Sequence, residues 1–172
     1  SGARVQIRSR TTTSGWTAHA TATLERTPVS EPAAPATGDG PVTELDPDDL
    51  YRRLRSAGQQ HGPAFQGIVG LTVSPAGTVT AEVALPTAAK QGARRFLLHP
   101  VMVDIAMQAL GATTAATDLA AGHGAAAVVL PVRLAGVRIH GDVTEGARAI
   151  AGLRPTSRPD RFAGHVVLQI GR

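Results

Sequence analysis

The sequence predicts an α+β domain in which one long helix packs against a mostly antiparallel sheet of about five strands, and three observations carry that expectation. Residues 96–110 read FLLHPVMVDIAMQAL, apolar on almost every side, as a helix in a protein interior is. Several segments of five to seven residues alternate apolar and polar side chains, the period-two pattern of half-buried strands. Gly, Pro and Asp clusters punctuate the boundaries between them. No internal repeat is present.

Taken in order, Val5 and Ile7, then Trp16, Ala18, Ala20, Ala22 and Leu24, alternate with polar residues around a Thr/Ser/Gly turn, which predicts a hairpin with Trp16 in the core. Residues 27–43 are Pro, Ala, Gly and acidic residues without periodicity. They read as a linker, so residues 1–26 belong to a different sheet from residues 44–172. Asp46 begins a short amphipathic helix as N-cap, with Pro47 in the first turn, Asp48 and Asp49 complementing the dipole, and Leu50, Leu54 and Ala57 on one face up to Gly58. A loop, HGPAFQG at 61–67, precedes two alternating strands, Val69, Leu71, Val73 and then Val79, Ala81, Val83, Leu85. The central helix starts at Pro100, with His99 as its cap, and fades through Gly111 toward Gly122 and Gly124. Further strand patterns follow in 128–130, in Val132, Leu134, Val137 and Ile139, in 149–153, and in Val166, Leu168 and Ile170.

At 172 residues the chain is one domain or a large part of one, long enough to bury a core without disulfides. It has no cysteine, which removes thiolate metal sites and fits a reducing, cytoplasmic compartment. Seventeen basic residues against thirteen acidic give a net charge of +4, and every basic residue but Lys90 is an arginine standing singly or in pairs. Scattered charge without aromatic interleaving points away from nucleic acid. No apolar run reaches the length of a membrane span, no secretion signal is visible, and Ser1-Gly2 reads as an abrupt beginning, either an expression scar or a cut inside a longer chain.

Within the apolar helix Asp104 and Gln108 are four residues apart, hence one turn apart on one face. A carboxylate is costly to bury unless hydrogen-bonded or electrostatically compensated. Asp104 is therefore either tied to a neighbouring loop or the working acid of a pocket. Gln108, which neither gives nor takes protons near neutral pH, fits a positioning partner of Asp104 or of a substrate.

Three motifs, HGPAFQG at 61–67, LHPVMVDIAMQAL at 98–110 and LPVRLAGVRIH at 130–140, resemble in order and separation the dehydratase domains of modular polyketide synthases, a bacterial double hot-dog family. They match mainly the C-terminal hot dog, and GWTAHATATLE at 15–25 looks like the closing strand of the first. The resemblance implies a long central helix wrapped by an antiparallel sheet. It also implies a lyase that removes water from a β-hydroxyacyl chain carried on the phosphopantetheine of an acyl carrier protein, with no other cofactor and no metal. Asp104 matches the family's acid and Gln108 the glutamine one turn later. The base, a histidine of the first half followed by Gly four and Pro nine residues later, has no counterpart among His19, His61, His99, His123, His140 or His165. His61 stands where the family more often has tyrosine, and Val-Arg-Leu at 132–134 where it often has Phe-Ser-Trp.

The resemblance thus implies a site of Asp104, with His61, Gly62, Pro63, Gln108, Leu130 and Pro131 binding or positioning substrate. Its implied partners are the acyl carrier protein, the half bearing the histidine motif, neighbouring synthase domains and, through an uncovered apolar face, a homodimer. More simply, Gly62, Pro63 and Gly67 are turn residues, His61 a partly exposed loop histidine and His99 a helix cap. Two other functions remain open: a non-catalytic dehydratase-like structural or docking module of the synthase, and a hot-dog thioesterase, against which the motif set argues.

Overall fold

The computed structural model describes residues 2–12, 15–26, 36–121, 130–139, 146–158 and 161–170. They fall into two compact units, residues 1–32 and 33–172.

The first unit is the expected hairpin. Strands β1 (Gly2–Arg10) and β2 (Trp16–Glu25) pair antiparallel from Gly2 opposite Glu25 to Arg10 opposite Trp16, with a bulge between Ile7 and Arg8. One face carries Val5 and Ile7 opposite Ala22 and Ala20; the other carries Arg4, Arg8 and Arg10. Trp16 is not in a core. Its side chain is 58% exposed, with the Arg8 and Arg10 guanidinium groups over its ring at 5.6 and 5.9 Å. The physical reason is that a two-stranded ribbon alone has no second layer to bury an aromatic ring against.

The second unit runs β3 (Thr43–Leu45), α1 (Pro47–Ser56), β4 (Ile68–Val73), β5 (Val79–Val83), α2 (Pro100–Ala121), β6 (Ala147–Pro155) and β7 (Phe162–Ile170), with single 3₁₀ turns at Pro63–Phe65, Thr87–Ala89 and Ala93–Arg95. The sheet order is β3-β4-β5-β6-β7, every pair antiparallel. Helix α2 lies across β4 to β7, the hot-dog arrangement. Met102, Ile105 and Ala109 of the helix meet Val79 and Ala81 of β5 and Ala149 and Ala151 of β6 in the core. Small side chains on β5 and β6 let the helix settle close to the sheet. At Gly164 of β7 a Cβ would collide with Leu153 and press on Leu110 of α2, so bare backbone is needed there.

The first helix forms as its sequence dictates: Asp46 is the N-cap, its carboxylate accepting from the Asp48 N–H at 2.9 Å, and the chain turns away at Gly58 with φ of 91°. Other expectations change. Among the described residues the sheet has five strands, but the fifth is β3, beginning at Thr43 where the linker was expected to end. Residues 36–42 form no helix or strand; 27–35 lie outside the described residues. Of the strands expected between 128 and 139, residues 128 and 129 lie outside the described residues, and 130–139 carry no regular element. Leu130, Val132, Leu134, Val137 and Ile139 are all exposed. Alternation marks a face, whereas a strand also needs an edge to pair with, and among the described residues nothing pairs with this stretch. In β4 a bulge between Ile68 and Gly70 turns Ile68 inward and Val69 outward, reversing the expected phase at that end.

Candidate active site

Helix α2 begins as its sequence indicates. His99 Nδ1 accepts from the Val101 N–H at 3.2 Å, and the His99 carbonyl accepts from Met102 and Val103 at 2.9 and 3.2 Å. Its ring sits edge-on to Phe96 at 4.9 Å, which fixes the cap in a buried position. His99 is thus spent on starting the helix.

The helix is not buried all round. With about 3.6 residues per turn, Val101, Met102, Ile105, Gln108, Ala109 and Ala112 fall on one continuous buried face, while Val103, Asp104, Met107, Leu110 and Gly111 form a half-covered stripe opposite. A single sheet shields one side of a helix, and among the described residues of this unit no second layer covers the other. Asp104 sits on the stripe with its side chain 44% exposed. The expected desolvation is therefore only partial in this chain.

Gln108 holds the carboxylate in place. Its Nε2 donates to Asp104 Oδ2 at 2.7 Å and to the Phe65 carbonyl at 3.0 Å. The one-turn spacing read from the sequence is thus a direct hydrogen bond, and the same amide ties the helix to the 61–67 loop. Gln108 Oε1 is buried without a partner among the described residues.

The loop owes its path to Gly62, Pro63 and Gly67. Pro63 starts the 3₁₀ turn, closed by Phe65 N–H to the Gly62 carbonyl at 2.8 Å, and Gln66 Nε2 donates to the His61 carbonyl at 2.8 Å. Gly67 lies so close to α2 and β5 that a Cβ would collide with the Ile105 side chain and the Ala84 carbonyl, while its own carbonyl accepts from the Ala84 N–H at 2.9 Å. The loop consequently delivers His61 to the carboxylate, with Nε2 4.0 Å from Asp104 Oδ2 and the side chain 18% exposed. His61 Nδ1 is buried and has no partner among the described residues.

Asp104, Gln108 and His61 therefore converge. Gly62 and Pro63 are exposed where the loop turns, and Leu130 and Pro131 are exposed in the irregular stretch 130–139, with no hydrogen bond joining them to the pair. His123 and His140 lie outside the described residues.

One residue of the cluster is absent from the sequence reading. Tyr51 of α1 is buried, its hydroxyl accepts from the Ile68 N–H at 3.1 Å, and its ring meets His61 edge-on at 6.4 Å. Burial pushes its phenol above the usual range. Backbone hydrogen bonds from Ile68 and Gly67 oppose this, and the nearby Asp104 charge reinforces it. The available signal was its place three residues before Leu54, on the apolar face of α1.

Chemically, this is a carboxyl group with one oxygen fixed by an amide, an imidazole beside it, and an open apolar stripe around it. Among the described residues no group of three His, Cys, Asp or Glu could hold a metal ion, and no helix is long and apolar enough to cross a membrane.

Comparison with known proteins agrees with this architecture. The family model described as the polyketide synthase dehydratase N-terminal domain matches residues 29–172. A phenolphthiocerol/phthiocerol polyketide synthase of Mycobacterium tuberculosis is 54% identical over 181 residues, which cover 96% of this chain and 8% of that protein. The solved dehydratase domain of PpsC from the same organism superposes with a TM-score of 0.80 at 54% identity, over 98% of this chain and 57% of that one. The same domain in complex with C12:1-CoA gives a TM-score of 0.80 at 55% identity, with 98% and 58% covered. The chain thus spans a little over half the length of the solved domains and a small part of the curated synthase it matches.

Proposed function

Because the chain belongs to the polyketide synthase dehydratase family, we propose that it is the carboxylate-bearing portion of a β-hydroxyacyl dehydratase, with Asp104 as the acid. The observation that carries this is the hydrogen bond from Gln108, on the buried face of α2, to Asp104 on its half-covered stripe. It fixes Oδ2 and leaves the carboxyl group facing outward, toward a substrate rather than into the core. In the reaction, a base on the other half removes the α proton of the acyl thioester. The β C–O bond breaks, and Asp104 gives its proton to the departing hydroxyl, so water and an α,β double bond result. His61 and the loop tip at Gly62 and Pro63 border the substrate, and we place Leu130 and Pro131 on the same wall.

Residues 1–26 are read as closing strands of a first hot dog, 27–43 as linker and 44–172 as the second. The matching family model is named for an N-terminal domain; favouring the later half are the acid-bearing helix and the lack of a His-Gly-Pro base motif in the sequence. The substrate class is an acyl thioester on the phosphopantetheine of an acyl carrier protein, in line with the relative solved with C12:1-CoA. The histidine-bearing half is the obligate partner, with neighbouring synthase domains around it, and self-association through the open apolar stripe is a further expectation. We place it in the bacterial cytoplasm.

The test compares turnover of a carrier-bound β-hydroxyacyl thioester by this chain and by a parent containing both halves. The parent should form the enoyl product and the 172-residue chain should not. A parent that leaves the substrate unchanged would overturn the reading in favour of a non-catalytic module.

A further inference from the structure

We propose that Tyr51 is a positioning residue of this site, holding both ends of the 61–67 loop and through it the placement of His61 and Gln108 against Asp104. The inference rests on the dehydratase reading. Tyr51 lies outside the three motifs, on α1, an element otherwise committed to capping and core packing.

The phenol touches the loop where it begins and where it ends. At the start, its ring meets the His61 imidazole edge-on at 6.4 Å. At the end, its oxygen accepts the Ile68 N–H at 3.1 Å, where the loop becomes β4. Between these points the Phe65 carbonyl receives Gln108 Nε2, the group that also holds Asp104 Oδ2. A displacement at Ile68 therefore moves Phe65, and Phe65 is one of the two acceptors that set the direction of the Gln108 amide. A phenol is ordinarily neutral at working pH and burial raises this one further, so the contact to the loop does not titrate there. Phenylalanine would keep the ring against His61 and remove only the oxygen, leaving the Ile68 N–H without its acceptor.

In an active parent, Tyr51→Phe should lower kcat about tenfold with KM within about twofold, because a small misplacement remote from the reacting atoms already costs up to about a hundredfold in rate. Leu54→Ala, on the same helix and packed on the same core, should lower the melting temperature and leave kcat per folded enzyme unchanged. That contrast separates positioning from stability. Should Tyr51→Phe not fold, 4-fluorophenylalanine at position 51 keeps the shape and puts fluorine, a poor acceptor, where the oxygen was, and kcat should fall in the same sense. Full kcat in either variant overturns the inference while leaving the dehydratase reading standing. A wild-type parent without activity overturns both.

Discussion

The β1–β2 hairpin and the unit built on α2 use the same side chains to different ends. In the hairpin Val5, Ile7 and Leu24 share one face, the bulge after Ile7 turns Trp16 to the other, and all four remain exposed. In the larger unit Val79, Ala81 and Val83 alternate in the same way and are buried, because α2 lies across their face. Period-two patterning therefore specifies a face, and only a second layer turns that face into a core. The same contrast recurs within α2, whose sheet-facing side is closed while the stripe bearing Asp104 is half open. The places where this chain offers an apolar face without a cover are the places where a further layer would complete it.

The largest expected effect tests the closed side. Ile105 is fully buried and packs against Gly67, so Ile105→Ala should destabilise the chain by about 2–5 kcal/mol, as truncation of a buried aliphatic does. Denaturant unfolding measures it, and a loss below about 1 kcal/mol would show that the helix is not seated on its sheet as described.

A smaller effect concerns Tyr51, the only tyrosine. Its phenol is raised in the folded chain by burial, so the unfolded chain gives up that proton first. The associated stability is fully present below the ordinary phenol value of about 10 and is lost as pH climbs through the folded value. Unfolding followed from about pH 9 to about pH 11 should show this decline, and Tyr51→Phe should flatten it. An identical slope in the variant would remove Tyr51 as its source.

The smallest effect tests the open hairpin. Trp16→Ala should cost within about 0.5 kcal/mol in the 172-residue chain, as exposed substitutions do. A loss of core magnitude would show that the ring is covered after all.

How much of this was legible beforehand follows from which signals are local. Asp46, Pro47 and Gly58 bound α1, and His99 and Pro100 begin α2, because caps act within a few residues of themselves. Asp104 and Gln108 were found together because helical spacing alone places them in contact. Strand β3 was not legible, since Thr43, Glu44 and Leu45 form three residues with no period to detect, and their pairing with β4 is set from outside. The stretch 130–139 and Trp16 were misread for one reason: alternation and size predict burial only where a partner edge or layer exists. Tyr51 was missed because the acceptor role of its hydroxyl depends on Ile68, seventeen residues away. His61 was legible as a departure from the family pattern, but its approach to Asp104 needed the fold.

On the dehydratase reading, Asp104 on the open stripe serves chemistry rather than packing. Asp104→Asn in a parent with both halves, assayed for kcat and for melting temperature on the same preparation, tests it most directly. The amide keeps the volume and presents its own oxygen to Gln108 Nε2. The expected kcat loss is about a hundredfold to ten-thousandfold, the usual worth of one positioned acid, with a melting temperature close to the parent's. A fully active Asp104→Asn enzyme, or one whose activity falls only in proportion to lost folded protein, would contradict it.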